Sequence, residues 1–314
     1  MGATTLRLPA ARRRRPGRRF AVLAVAPALL VLVALSVVPL LAAVYLSFTN
    51  TALLSTSPTR FVGLANYAAL LHSQLFWGGV GITLVFVVAI VTAQLGVGLA
   101  LALMLNRLPR FQQGLVTLIL IPSILSQSVA SFQWLQLFDF NSGVLNYVLR
   151  LLHLPPQLWT ASAGEALPSL LLVDFWEWTP FMVLLIFAGL KSLPASVFEA
   201  ARVDGSTAWQ TLRHHTVPLL RRVIAIAVIL RLIAAFKMFG IIYILTGGGP
   251  GTATESLPFF TYVQSFQYFT LGYSSAIALV TLALVVVLVK IILSFMERPV
   301  GSRRSSIAAE EPAP

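Results

Sequence analysis

The sequence predicts an all-α membrane protein with six transmembrane helices. Of its 314 residues, 58% are hydrophobic and only 10% are charged, whereas about 25% of the residues in soluble domains are charged. Too few charges remain to cover a water-facing surface, and the apolar residues occur in long runs rather than in amphipathic stripes. Both observations indicate that lipid surrounds most of the chain.

Six apolar runs are long enough to cross a bilayer, which requires about 20 helical residues. They cover residues 20–46, 80–105, 114–138, 168–190, 223–245 and 273–296. Helices are expected because backbone groups in lipid must be satisfied within the segment. The sequence does not contain the short alternating segments that are typical of a β-barrel. Because the chain has no cysteine, disulfides and thiol chemistry are excluded.

The positions of the basic residues predict the orientation of the chain. Most of the 22 lysines and arginines lie before the first span, after the last span, or in the loops that follow the second and fourth spans. The opposite loops contain only Arg60 and Arg150. This distribution follows the positive-inside rule and predicts that both termini are cytoplasmic. It also accounts for the net charge of +12 without a nucleic-acid partner.

We expect one membrane domain at residues 20–298 and no separate soluble domain. Residues 1–19 form a basic cytoplasmic tail, and residues 299–314 form a second tail rich in Ser, Pro and Glu. Both compositions are typical of disordered segments. The long loop on the predicted cytoplasmic side covers residues 191–222 and is called the inner loop below.

The inner loop contains a recognisable motif, whose residues are Glu199, Ala200, Ala201, Asp204, Gly205 and Pro218. Gly205 is suited to end a helix in the left-handed conformation. Ser196 and Glu199 have the spacing of a capping box that starts the first helix, and Thr207 and Gln210 repeat it for a second helix, which Pro218 is expected to end. The pattern predicts a helix, a tight turn and a helix, with the two alanines forming a small surface that another protein can approach.

This motif resembles the EAA loop of binding-protein-dependent ABC importer permeases. Further matches to the maltose and glycerol-3-phosphate branch of that family lie at Phe61–Tyr67, Gly143, Asn146, Asp174–Pro180, Gly247–Pro250 and Gly272-Tyr273. The resemblance implies that the inner loop docks on an ATPase subunit and transmits its closure to the membrane. It also implies three kinds of partner: a second homologous permease, two ATP-binding subunits and an extracytoplasmic solute-binding protein.

Polar and aromatic residues within the spans are candidates for the path of a sugar-like solute. The candidates are Gln127, Asp174, Trp176, Glu177, Trp178 and Lys237. A charge at the bilayer centre costs about 2.5–3.5 kcal/mol on insertion scales, so these charges need partners. Lys237 lies at a depth similar to that of Asp174 and Glu177, and a structural ion pair is one interpretation. The other is that carboxyl groups bind solute hydroxyls while Trp176 and Trp178 stack on sugar faces.

Two other functions are weighed against the importer. An ion-coupled secondary transporter would use Asp174 and Glu177 as proton or cation sites. A membrane-bound enzyme is disfavoured because the sequence has none of the common hydrolase or metalloprotease motifs. We expect no cofactor, no metal site and no nucleotide site in this chain, since the glycine run at 247–251 is not followed by the Lys-Ser/Thr of a P-loop.

Overall fold

The computed structural model describes residues 18–296, and helices dominate this part of the chain. The predictions for the two tails lie outside the described residues, apart from the last two residues of the first tail. The helices are α1 (Arg18–Ser47), α2 (Ala65–Leu71), α3 (Gln74–Arg107), α4 (Gln112–Ile124), α5 (Gln127–Leu137), α6 (Val144–Leu151), α7 (Ala163–Lys191), α8 (Ala195–Val203), α9 (Ala208–Thr211), α10 (Val217–Ala235), α11 (Gly240–Leu245), α12 (Leu257–Tyr262) and α13 (Leu271–Met296). Within the described range, β-structure is limited to an isolated bridge between Thr49 and Phe61.

Four helices are individually long and apolar enough to cross a membrane: α1, α3, α7 and α13. A fifth crossing is added if α4 and α5 count together, although they are bent by 89° at the break between them. The continuous third span predicted at 114–138 is therefore wrong in its geometry. Pro122 lies in the last turn of α4, and Ser126 caps the first turn of α5 by accepting a hydrogen bond from the N–H of Val129.

The predicted fifth span, at 223–245, is also interrupted. Helix α10 ends at Ala235, and a four-residue break precedes the short helix α11. Helix α10 starts earlier than predicted because it continues from α9 through a π-helical turn at Leu212–Thr216. Pro218 therefore lies at the start of α10 and does not end a helix, which corrects the sequence prediction. Proline is tolerated there because the π-helical turn already shifts the hydrogen-bond register.

The core of the described chain is built from α3, α7, α10 and α11. Helix α3 packs along α7, and α10 packs on both of them. Helix α1 packs on α13 outside this core, and most of its apolar side chains are exposed. Helix α13 also packs on α10, and Val285, Leu288 and Val289 contact the core. An exposed aliphatic helix of the length of α1 is stable only in lipid.

A close approach between α3 and α7 depends on Gly98. A methyl group added at Gly98 would lie 2.9 Å from Cβ of Met182, and this overlap can be relieved only by moving the helices. We expect Gly98→Ala to destabilise the protein by about 1–3 kcal/mol, as overpacked cores do. Thermal denaturation of the purified protein measures the effect. Gly96→Ala is the control, because no atom lies within 4 Å of its added methyl group; equal melting temperatures for the two variants would contradict the expectation.

Candidate functional site

A buried polar cluster joins the three central helices. Its members are Gln94 on α3, Asp174 on α7 and Arg231 on α10. Arg231 donates from Nε to Oε1 of Gln94 over 2.6 Å and from its terminal nitrogen to Oδ1 of Asp174. The amide nitrogen of Gln94 donates to the Asp174 carbonyl oxygen (3.0 Å) and to its carboxylate (3.2 Å). Each charge of the cluster is thereby matched inside the protein.

The pairing of Asp174 differs from the sequence prediction, which gave Lys237 as its partner. Lys237 lies in the break after α10, where its side chain is exposed. Arg231 lies before that break, and only 1% of its surface is exposed. Among the residues whose side chains the structure describes, Arg231 and Asp174 form the only salt bridge. The predicted pairs of Lys237 with Asp174 or Glu177 are therefore wrong, because the helix that was to carry Lys237 ends before reaching it.

Glu177 lies one turn beyond Asp174 on α7 and has a different environment. Only 4% of its surface is exposed, and its Oε2 atom has no hydrogen-bond partner. It lines a cavity of about 470 Å³ that opens at the break between α4 and α5. The cavity is lined by Ser123, Leu125, Gln127, Glu177, Trp178, Phe181 and Leu184.

Aromatic and amide groups complete this cavity. The rings of Trp178 and Phe181 meet edge to face with centroids 6.0 Å apart. The Trp178 ring also lies 5.3 Å from the Arg231 guanidinium carbon, so the arginine packs on its face. The side chain of Gln127 lies against Gly240 at the start of α11, where an added methyl group would come within 2.9 Å of Oε1. The cavity thus combines a carboxyl group, an amide and aromatic surface.

The structure brings together three of the six predicted solute-path residues: Gln127, Glu177 and Trp178 all line the cavity. Asp174 is held by Arg231 instead, and Lys237 lies at the helix break. Trp176 packs edge-on against Trp134, with ring centroids 5.7 Å apart. Sequence reasoning missed Gln94 and gave Arg231 no partner. A lone amide in the middle of an apolar span was the available signal for Gln94.

The inner loop has the predicted helix–turn–helix form. Helix α8 ends before Gly205, whose φ of +68° is the left-handed conformation expected for it. Thr207 and Gln210 form the predicted capping box. The predicted box of Ser196 and Glu199 is wrong, because α8 begins at Ala195, one residue before Ser196, and has no side-chain cap. Glu199, Ala200, Asp204 and Pro218 are exposed, but Ala201 is 2% exposed. The expectation of a two-alanine contact surface is therefore corrected to Ala200 alone, because Ala201 lies on the inward side of α8.

Two large apolar side chains are exposed on the same loop. Val203, at the end of α8, is 88% exposed, and Trp209 on α9 is 66% exposed. They flank the Gly205 turn from both sides. An exposed tryptophan and an exposed valine beside a tight turn are typical of a surface that a partner protein covers.

Among residues 18–296, no group of three or more His, Asp or Glu side chains is placed to hold a metal ion. The long apolar helices and the buried polar cluster between them define the class as a polytopic membrane protein. The chain belongs to the family described as binding-protein-dependent transport system inner membrane component, whose model matches residues 94–301. It is therefore an inner-membrane permease subunit, and ATP hydrolysis belongs to separate subunits.

Curated relatives support the same family. The chain is 37% identical over 267 residues to the sulfoquinovosyl glycerol transport system permease protein SmoG of Agrobacterium fabrum, covering 85% of this chain and 87% of the relative. It is 36% identical over 228 residues to the trehalose/maltose transport system permease protein MalF of Thermococcus litoralis, covering 72% and 76%. The trehalose transport system permease protein SugA of Mycobacterium tuberculosis (strain CDC 1551 / Oshkosh) is 34% identical over 275 residues, 86% of each chain.

The fold agrees with a solved transporter. A chain of a bacterial ABC transporter involved in the import of the acidic polysaccharide alginate matches with a TM-score of 0.79, covering 90% of this chain and 97% of the other. At 18% identity, this likeness concerns the fold alone. The family membership favours an ABC importer over the ion-coupled transporter considered as an alternative.

Proposed function

We propose that the chain is one permease subunit of an ATP-driven importer for a sugar or sugar-like solute. The cavity at the α4–α5 break carries this proposal. Flat apolar faces of sugar rings pack on aromatic surface, which Trp178 and Phe181 provide, while hydroxyl groups bind carboxyl and amide oxygens, which Glu177 and Gln127 provide. The relatives named for trehalose and maltose transport give independent support.

The complete importer contains a second homologous permease, two ATP-binding subunits and an extracytoplasmic solute-binding protein. Exposed polar groups on α5 support the second permease, because Ser128, Gln133 and Gln136 would be costly in contact with lipid. A partner that covers this face would let them line a shared, water-accessible path. The solute-binding protein agrees with the family description and with a related alginate transporter solved with its periplasmic protein.

The membrane domain at residues 20–298 crosses the membrane six times. This count takes α4 with α5 as one crossing and α10 with α11 as another, in addition to the four long helices. An even number agrees with the basic residues, which place both termini, and the inner loop between α7 and α10, in the cytoplasm. The tails at 1–19 and 299–314 flank this domain as cytoplasmic extensions.

The inner loop is the contact with an ATPase subunit. Glu199, Ala200, Asp204 and Gly205 form the surface that the ATPase holds. Ala201 is buried on the inward side of α8, and Pro218 lies in the first turn of α10. Closure of the ATPase pair pushes on this surface. Because α10 continues from α9 and carries Arg231, the movement reaches the buried cluster and the cavity beside it.

Trp209→Ala tests this contact. Truncating a large side chain buried at an interface commonly costs 2 kcal/mol or more, so we expect the tagged permease to retain much less ATPase subunit after purification. ATP-dependent uptake by the reconstituted complex should fall in parallel. Trp77→Ala is the control, since Trp77 is 54% exposed and lies at the opposite end of the α3 helix from the predicted cytoplasmic side. Unchanged retention and uptake for Trp209→Ala would exclude this role for the loop.

A further inference from the structure

The charges around the cavity indicate whether the solute is neutral or anionic, which the relatives' names do not decide. Those names include trehalose and maltose as well as sulfoquinovosyl glycerol, and the transporter with the same fold imports an acidic polysaccharide. Neutral and anionic solutes therefore both occur among similar proteins. The side chains that line this cavity distinguish between them.

Glu177 is the only ionisable residue among the side chains that line the cavity. Its buried Oε2 atom has no hydrogen-bond partner in the protein, so the carboxyl group at the cavity wall keeps an unused acceptor. In either protonation state this group supplies no positive charge. A sulfonate, phosphate or carboxylate that left water to enter the cavity would need a cation or several strong donors to replace its hydration.

The nearest cation is already engaged. Arg231 packs on the Trp178 ring, but its guanidinium donates to Asp174 and to Gln94. Drawing it toward a solute anion would leave Asp174 buried without a counter-charge, which is strongly unfavourable. Lys237 is exposed at the break after α10 and does not line the cavity.

The first turn of α5 is the remaining source of positive potential, since Leu125 and Gln127 bring this helix end to the cavity. Ser126 accepts the N–H of Val129 and so occupies one of its donors. The Glu177 carboxyl faces the same cavity and complements the positive end of the helix. An anionic solute would have to compete with a negative group that the protein already provides.

We infer that this permease subunit selects an uncharged sugar and disfavours sugars that bear a phosphate, sulfonate or carboxylate. This inference rests on the proposed function and assigns the selection to Glu177. A neutral sugar offers hydroxyl donors to the Glu177 oxygen, and its apolar face packs on Trp178. An acidic sugar offers the same face, but it places a second negative group beside a carboxyl group in a site of low polarity.

The test uses the complete importer, reconstituted in vesicles with its binding protein and ATP inside. The outside solution holds a mixture of trehalose, maltose, glucuronate, glucose 6-phosphate and glycerol 3-phosphate, and mass spectrometry identifies the accumulated solutes. We expect accumulation of a neutral sugar at least about tenfold above any charged one. Preferred accumulation of a charged sugar would overturn the inference and leave the importer function intact. No ATP-dependent accumulation of any sugar would instead contradict the proposed function.

Variants of α7 separate the role of Glu177 from that of the binding protein. Glu177→Gln keeps the shape of the side chain and removes its charge. We expect uptake of the neutral sugar to fall about tenfold, because a charge-assisted hydrogen bond is lost, and the preference over charged sugars to shrink. Glu165→Gln is the matched control, since Glu165 is on the same helix and also has an unpartnered buried oxygen but does not line this cavity. Wild-type uptake and preference in Glu177→Gln would refute the assignment.

Discussion

Replacing Asp174 with asparagine is expected to destabilise this permease strongly, by removing one charge of a buried ion pair. The substitution leaves the Arg231 guanidinium, 1% exposed, without a counter-charge. Removing one partner of a buried ion pair typically costs about 3–5 kcal/mol, since the remaining charge loses its compensation and cannot return to water. We expect a large fall in melting temperature and in the amount of folded protein in the membrane.

The geometry explains why neighbouring groups cannot rescue the charge. Gln94 accepts the Nε hydrogen of Arg231 and donates to Asp174, so its amide oxygen and its amide nitrogen are both already hydrogen-bonded. Glu177 has a free oxygen but lies toward the cavity. Because α3, α7 and α10 meet at this cluster, the loss weakens the contact among all three helices of the core.

A paired substitution tests the explanation. Asp174→Asn combined with Arg231→Met removes both charges and should recover much of the stability, because an apolar pair can replace a buried ion pair at little cost. Lys237→Met removes an exposed cation from the same segment and should change stability by less than about 0.5 kcal/mol. Equal destabilisation by the single and the double variant, measured by thermal denaturation in detergent, would show that charge pairing is not the cause.

The elements that the sequence predicts well are those with local causes. Gly205 ends α8 because a left-handed residue is needed there, and Thr207 starts the next helix through its own neighbours. Both follow from residues within one turn of each other. The long apolar helices α1 and α13 were equally easy to predict, since a long aliphatic run is recognised from the sequence without its tertiary partners.

Three residues that carried the family resemblance outside the inner loop, Asn66, Asn146 and Gly272, hold the fold together. Asn66 donates to the carbonyl oxygens of Ser47 and Thr49 at 2.8 Å each, which satisfies the end of α1. A side chain at Gly272 would come within 2.0 Å of the Thr49 carbonyl oxygen, so only glycine fits at the start of α13. Asn146 likewise bridges the backbone of Phe140 and Gln157. These contacts explain the motif residues without assigning them a solute.

The features that the sequence did not predict are the helix breaks and the contacts that follow from them. The break between α4 and α5 and the break after α10 interrupt apolar runs that look continuous. The depth of a residue in the membrane was predicted from its number along a continuous helix, and this prediction fails where the helix ends early. For this reason the sequence prediction paired Lys237 with the acidic residues of α7, whereas Arg231 is the residue that contacts Asp174. The three cavity residues were among the sequence candidates because polar groups within an apolar span are unusual.

The second large effect is expected from Gly205→Pro in the inner loop. Gly205 has a φ of +68°, whereas the proline ring requires about −65°. The substitution also removes the N–H that Gly205 donates to the Arg202 carbonyl oxygen over 3.1 Å. No atom lies within 4 Å of a methyl group added at Gly205, so a change at this position acts through the backbone conformation of the turn and not through a steric clash.

Because the turn is exposed, its distortion should leave the membrane helices folded and affect the contact with the ATPase. We expect uptake to fall more than about tenfold while the melting temperature of the isolated permease changes little, and residual ATP hydrolysis should no longer depend on solute delivery. Gly205→Asn is the graded control, since asparagine adopts the left-handed region more readily than other side chains and keeps the N–H group. If Gly205→Pro retained solute-dependent hydrolysis and full uptake, the conformation of this turn would have no part in coupling. The force from the ATPase would then have to reach α10 through another contact, and Trp209 is the nearest exposed candidate.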